Sequence, residues 1–392
     1  MYDPRQPPLV RTSERNDHAK CPQLWAWRWL DGLVPMREPT WAVFGTAWHR
    51  AMEVYYPVGV KRGSVLDAID MFLESLDDLG RKIGVDIEEL EEAELLKQGD
   101  KGKKVKLIPA RELGPIMLRE YHTYYQGDRE WEVIHTEQTF QIDVPDPDDR
   151  SQVLLVLAGT WDALMRNRRT KRLELWDHKS AKTIPSWGYL ELDNQAGTYP
   201  WVAREVLLHK GIITNKDRIH GIWFNYARKA PPDPRPTNAA GEATNKPTKE
   251  HYLAALRHAG YQGADLNRKK VDELAELAAK YRLTVLGEVS ATQPAKRFER
   301  YYSQRTPHQN VNQARRVQAQ GIVMEMMRNG ELPIYKTPNH ECERCVFFDL
   351  CTLHEQGDDW EFYRDEMFKK RDPYRDHRED MERSGIEIHR RK

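Results

Sequence analysis

Two runs of sequence, QVLLVLAGTWDALMR (residues 152–166) and RLELWDHK (172–179), joined by NRRTK (167–171), decide how this chain reads. Both are rich in the apolar residues that favour strands, and the polar link between them is short, so they read as a β-hairpin. With the turn at 167–171, Asp162 and Asp177 fall on paired strands at similar height and can converge on one cation. Hard oxygen ligands favour magnesium or manganese there. Lys179 lies two residues beyond Asp177 and so points to the same face of the strand. An ammonium in that place can hold and polarise a water attacking a phosphodiester, while a divalent ion lowers the pKa of that water and neutralises the developing charge.

Working outward, GTAWHRAME (45–53) reads as glycine and threonine before a helical run, with His49 available as an imidazole ligand. A nitrogen ligand tilts the preference towards manganese. Glu53, one helical turn on, shares the face of His49 and is expected to orient its ring. After the hairpin, NQAGTYPW (194–201) sets Gln195 and Tyr199 on one helical face, suited to hydrogen bonding Lys179, a ligand or a phosphate. Singly, each of these residues is more often structural; the joint order carries the reading.

The remaining chain falls into segments. Residues 1–12 read as a flexible, proline-rich lead-in. CPQLWAWRWLDGL (21–33) suggests a buried helix beginning near Pro22. Residues 64–98 read as one amphipathic helix, 97–106 as a polar loop and 107–126 as helix. EVIHTEQTFQIDV (132–144) is a strand preceding the hairpin, and RIHGIWFNYAR (218–228) and FERYYSQRT (298–306) are strands after it. A helix is expected from about Trp187 to Leu208. The proline-rich stretch 229–247 reads as a loop, 249–280 as helical and 309–330 as a helix closed by glycine. Beyond Leu353 the dense charge suggests a surface helix fading into disorder.

Of the 392 residues, 39% are hydrophobic and 31% charged, which describes a globular chain with a real core and a very polar surface. No apolar run approaches the ~20 residues needed to span a bilayer, and the N-terminal stretch has no signal-type hydrophobic segment, so a cytoplasmic location without membrane attachment is expected. The 61 basic and 61 acidic residues balance, which argues against binding nucleic acid through bulk charge but leaves room for a local basic groove. Candidate groove residues are Arg166, Arg168, Arg169, Lys171 and Arg172 on the hairpin, Lys182, and Arg297, Arg300 and Arg305. Trp187, Tyr189, Tyr301 and Tyr302 are available to stack on bases. No phosphate-loop motif of a nucleotide-driven motor occurs, so the expectation is a stand-alone nuclease, or one that borrows a motor from a partner helicase or a recombination or annealing protein. The four cysteines, Cys21, Cys342, Cys345 and Cys351, suit metal or cluster ligation in a reducing compartment. Four thiolates hold tetrahedral zinc or an iron–sulfur cluster, and spacing leaves both open.

The segments GTAWHRAME, AGTWDALM, LELWDHKSAKT and QAGTYPW resemble the PD-(D/E)XK superfamily, in particular its RecB-like branch with the AddB nuclease domain and the Cas-four-type exonucleases of CRISPR adaptation. That resemblance implies an α/β fold: a small mixed sheet flanked by helices, with helical insertions at about 60–125 and 229–295. It implies that His49, Asp162 and Asp177 ligate the metal with the backbone carbonyl of His178, that Lys179 is catalytic, and that Gln195 and Tyr199 support DNA and the active site. Glu137 corresponds to an acid often seen in this branch. The cysteine layout, one before these motifs and three after, implies a 4Fe-4S cluster stapling the N-terminal segment (13–56) to the C-terminal one (296–354). A single nuclease domain follows, with a helical insertion at 57–130, a catalytic core at 131–228, an insertion at 229–295 and a charged tail at 355–392. The expected activity is metal-dependent exonucleolytic hydrolysis of DNA in recombination, replication or repair. The competing expectation is a DNA-binding assembly subunit of a recombination or CRISPR adaptation complex with an inactive site.

Overall fold

The first ordered strand lies within what reads as a flexible lead-in. In the computed structural model, which describes residues 6–36, 41–84, 91–94 and 107–389, β1 (Leu9–Arg11) pairs in parallel with Val156–Ala158. The backbone of so short an edge segment is satisfied by the sheet, which no local pattern announces. It leads into α1 (Thr12–Lys20), a polar helix whose Glu14 and Arg15 are nevertheless fully buried. Glu14 accepts from Trp25 Nε1 at 3.0 Å and pairs with Arg328 at 2.8 Å. Arg15 donates to Gln320, Thr198 and Asn194. Buried charge is tolerated where each charge has partners. α2 (Pro22–Trp25) begins, as expected, with Pro22 at its first position, and a single π-turn carries it to β2 (Leu33–Pro35).

Gly45 and Thr46 lie inside α3 (Trp41–Tyr55) rather than before it. α4 (Val65–Ile83) is shorter than its apolar pattern suggests. Ser64 caps its start and Gly84, left-handed at φ 69°, ends it. β3 (Glu91–Glu94) and β4 (Leu107–Pro109) pair antiparallel instead of extending helices; the polar loop expected at 97–106 lies outside the described residues. α5 (Ala110–Tyr125) packs closely on α4, where a methyl on Gly114 would stand 2.1 Å from the Phe72 ring. The strands that carry the site then follow: β5 (Trp131–Pro145), β6 (Val153–Asn167) and β7 (Leu173–Ala181). A 3-10 turn at Trp187–Leu192 precedes α6 (Asn194–His209), where a single helix reads from sequence, and β8 (Ile219–Arg228) comes next.

Residues Pro231–Arg297 form a compact unit of their own, with α7 (Lys249–His258) and α8 (Val271–Lys280) around Leu256, Leu266, Leu274 and Ala278. The main unit resumes with β9 (Phe298–Gln304) and α9 (Pro307–Arg328), which is capped by Thr306, starts two residues before the expected 309 and ends just before the left-handed Gly330. Among the described residues the charged tail forms regular elements packed into the fold. α10 (Phe348–Gln356) and α11 (Trp360–Met367) lead to β10 (Phe368–Lys370), which pairs with β2, and α12 (Arg375–Ser384) leads to β11 (Ile386–Ile388), which pairs with β5. Pairing with distant strands gives this charged segment an order that its composition does not reveal.

The main sheet runs β11-β5-β6-β7-β8-β9, mixed in direction and flanked by helices on both faces. One face packs Leu164, Leu173 and Leu175 against α6 and α9; the other packs Met165, Ala163 and Trp176 against α3, α4 and α5. Period-2 alternation along β6 and β7 therefore sets Asp177 and Lys179 on the α6 side. Each fully buried large apolar side chain contributes about 1.5–3 kcal/mol, so the sheet between these layers is a rigid platform.

Candidate active site

β6 and β7 are laddered from Arg166↔Leu173 to Ala163↔Trp176, and there the pairing stops. β7 remains with β8 as far as Ala181↔Arg228. The sheet thus splits immediately before Asp162 and Asp177. The freed N–H of His178 donates to Asp162 Oδ2 at 2.6 Å, satisfying a buried donor that the ladder has abandoned.

Two adjoining groups occupy the split. In the first, His49 from α3, Glu137 from β5 and Asp162 from β6 bring their ligand atoms within 4.8 Å of one another. His49 Nδ1 stands 3.1 Å from Asp162 Oδ2. Register puts Glu137 opposite Asp162, between Thr136↔Ala163 and Gln138↔Trp161. Its φ of 43° is left-handed, a conformation uncommon for a non-glycine residue and costly without support from its surroundings. In the second group, Lys179 Nζ lies 2.8 Å from Asp177 Oδ2 and Gln195 Nε2 donates to Asp177 Oδ1 at 2.6 Å. Tyr199 is buried against Phe140, and a methyl at Gly159 would press on both rings, at 2.8 Å and 3.3 Å. A glycine before Asp162 is what lets the tyrosine approach.

The charges are strongly differentiated. Burial alone would raise the Asp162 carboxyl, but His49, His178 and Lys179 hold it down at about 2. Burial raises Asp177 to about 6, with Lys179 opposing and Asp162 reinforcing. Glu137 is pushed up to about 10 by burial and by the carboxylates of Asp162 and Glu53. Burial would lower Lys179, yet Asp177 and Asp162 together raise it, so the lysine is fully charged. His49 is likewise raised, Asp162 outweighing burial. Burial and the negative charge of Asp177 push Tyr199 up to about 12. Opposed shifts on neighbouring acids mark a site built for ionic chemistry. An oxygen-rich group with one imidazole suits a hard or borderline divalent cation, and crowding several carboxylates together is costly until such a charge offsets them.

The His178 side chain turns away from the acids. Burial lowers its pKa to about 3, its Nδ1 accepts from Asn225 Nδ2 at 2.7 Å, and its ring stacks on Tyr56. Asn225 Oδ1 accepts from Arg300 Nε at 3.0 Å, and Arg300 forms a two-pronged pair with Asp128 at 2.6 Å on each side. Sequence reasoning missed this relay, because its members are spread over residues 56–300 and lie in no shared motif.

Several expectations change. Glu53 is exposed, and His49 faces Asp162 instead of it. Arg300 and Arg305 are not groove residues: the first is held by Asp128, and the second is buried with its guanidinium on the carbonyls of Ala196 and Glu191. Tyr301 bonds Glu191, and Tyr302 lies against Trp223. Lys182 and Tyr189 are exposed near the split. The hairpin residues Arg168 to Arg172 are exposed too, but at about 3.4 Å per strand residue they lie roughly 20 Å from Asp162. Glu137, noted only as a family-type acid, joins the tight ligand group; its left-handed backbone conformation has no sequence signal.

Far along the chain, the four cysteines assemble from both ends. Cys21 Sγ accepts from Thr337 N and Cys342 Sγ from Asn339 N, each at 3.4 Å. Gln23 N bonds the carbonyl of Tyr335. Burial raises the Cys345 and Cys351 thiols, and both also feel the charges of Cys21 and Cys342. Among the described residues no three of the sulfurs lie within 4.8 Å of one another. Trp27, Phe347, Leu350 and Phe368 make a small core beside them. No helix among the described residues is long and apolar enough to cross a membrane.

No curated protein matches this chain. Residues 12–352 match the family model described as the PD-(D/E)XK nuclease superfamily. The match runs from the first helix to the last cysteine, through every strand that builds the split, and it makes this chain a member of that superfamily.

Proposed function

We propose that this protein is a divalent-metal-dependent deoxyribonuclease that hydrolyses DNA from ends or single strands, serving recombination, replication or repair beside a partner that supplies strand opening. The observation that carries the reading is the pair of adjoining groups: His49, Glu137 and Asp162 within 4.8 Å, and Asp177 with Lys179 at 2.8 Å.

His49, Glu137 and Asp162 would hold a magnesium or manganese ion, with Asp177 beside them. When bound, the ion supplies Lewis-acid polarisation and lowers the pKa of an attacking water. The protein's own part is positioning. Lys179 stays protonated beside Asp177 and offers its N–H groups to the water and to the phosphate oxygen that gains charge. Gln195 and Lys179 hold the Asp177 carboxylate by its two oxygens, fixing its plane. Hydrolysis then adds water across one P–O bond and leaves a 5′ phosphate by family resemblance.

The layout of the thiols, one before the nuclease motifs and three after, supports a 4Fe-4S cluster over zinc by family resemblance. Such a cluster would close a very long loop and brace the small core around Trp27 and Phe347.

End-labelled linear DNA and covalently closed circles, single- and double-stranded, incubated with magnesium or manganese, test the activity. Digestion of linear but not circular DNA is the expected result. Cutting of circles replaces the exonuclease reading with an endonuclease, and no cleavage of any substrate overturns the reading.

A further inference from the structure

The strand end opposite the acids carries a second concentration of charge. A concavity of about 660 Å³ is lined by Lys61, Arg62, His122 and Arg129, and among the described residues its lining contains no carboxylate. Its wall is fixed: Arg62 Nη2 donates to the carbonyls of Asp128 and Trp131 at 3.0 Å and 2.7 Å, and its guanidinium sits 4.9 Å from the Tyr56 ring centre. The turn RRTKR (168–172) is docked onto the same rim, with Arg168 N donating to Glu130 O at 2.8 Å and Arg168 Nη1 to Arg129 O at 3.0 Å. All five turn residues are exposed. Of the neighbouring carboxylates, Glu132 faces Arg166, Asp128 is buried under Arg300, and Asp217 caps its own turn at Thr214; Glu130 is exposed. In a chain of zero net charge, this is a marked local excess of cations.

We infer that the concavity and the 168–172 turn form a remote docking surface for the DNA phosphate backbone. The inference rests on DNA being the substrate of the neighbouring site. Charge complementarity identifies the occupant, since a cluster of lysine and arginine, with Arg62 and Arg168 held in place by backbone carbonyls, matches a polyanion and carries no base-reading element. The surface lies roughly 20 Å from Asp162, about six nucleotides at 3.4 Å of rise each. DNA held there would extend well beyond the scissile phosphate, so the surface retains the substrate between cuts without touching the reacting atoms.

The test compares wild type with a quadruple variant, Lys61→Gln, Arg129→Gln, Arg169→Gln and Lys171→Asn. Asparagine is chosen because Lys171 has a φ of 61°, which that residue tolerates. Binding to long duplex and single-stranded DNA is measured in chelator across a salt series, so the result does not depend on cleavage. The expected outcome is a salt slope shallower by roughly two to four for the duplex, at about 0.9 per lost phosphate contact, and an affinity at least tenfold weaker. A charge-keeping variant, Lys61→Arg, Arg129→Lys and Arg169→Lys, should bind like wild type. An unchanged slope in the quadruple variant overturns the inference, as does equal loss in the charge-keeping one. In metal, KM for long DNA should rise while kcat, and KM for DNA of about four nucleotides, stay as in wild type; a fall in kcat alone would also overturn it.

Discussion

The backbone N–H of His178 lies 2.6 Å from Asp162 Oδ2, so the amide that β7 withdraws from β6 becomes a hydrogen-bond donor to the very carboxylate at which the strands separate. The rupture of the sheet and the orientation of the acid are one event.

Lys179→Ala should lower single-turnover cleavage at least 10²–10³-fold, the scale of removing one preorganised charge-stabilising donor. DNA binding in chelator should persist, because the docking surface is elsewhere. Wild-type cleavage by this variant would sink the assignment of Lys179.

Glu137 holds a proton to about pH 10 in the metal-free protein, owing to burial and the nearby carboxylates Asp162 and Glu53. Metal binding must displace that proton, so manganese affinity should rise with pH between 6 and 9, by up to about tenfold per unit. Calorimetry in buffers of different ionisation enthalpy should register the released proton. Glu137→Gln should abolish the release and weaken binding; an unaltered proton count would exclude Glu137 from the ligand set.

Asn225→Leu should act as loss of a positioning residue. It leaves His178 Nδ1 and Arg300 Nε without their partners inside the core, at a cost of about 2–3 kcal/mol in stability. Because His178 carries the N–H that orients Asp162, kcat should fall by about tenfold while KM is unchanged. A variant that is less stable but keeps full kcat at permissive temperature would reduce Asn225 to a purely structural part.

Burial holds His377 down at about 4 and His178 at about 3. Both fold as neutral rings, whereas the unfolded chain takes up protons near pH 6.5. Their contribution to stability is therefore complete above 6.5 and is lost as pH falls towards 4 and 3. For His377 the loss is about 3 kcal/mol. Chemical denaturation between pH 7 and 4 should show the decline, and His377→Gln should flatten it. A variant with the same slope as wild type would place the acid sensitivity elsewhere.

Cys345→Ala should eliminate bound iron and labile sulfide, lower Tm and free the N-terminal segment for proteolysis, with the residual folded fraction still binding manganese. Stoichiometric zinc in the wild-type protein, with neither iron nor sulfide, would replace the cluster with a mononuclear site.

Much of the candidate site is legible before any coordinates. The hairpin 152–179 is readable because a two-residue period, a short polar turn and two acids at matching height are all local properties. The helix bearing Gln195 and Tyr199 is readable for the same reason. Failures occur where a distant partner overrides the local pattern. Leu9–Arg11 becomes a strand because β6 offers it a free edge, and Ile386–Ile388 is ordered by β5 despite its charged surroundings. Arg300 reads as a surface cation, yet an aspartate 172 residues away draws it inside.

By itself, then, the sequence determined which residue types meet at the strand ends and the alternation that points Asp177 and Lys179 to one face. Tertiary structure alone decided that the strands part after Trp176, that Glu137 turns in through a left-handed backbone, and that Asn225 and Arg300 gather behind His178. Periodicity and turn chemistry act between neighbours in sequence; the closing of long loops, the burial of charge and the sharing of a ligand site depend on groups that only folding brings together.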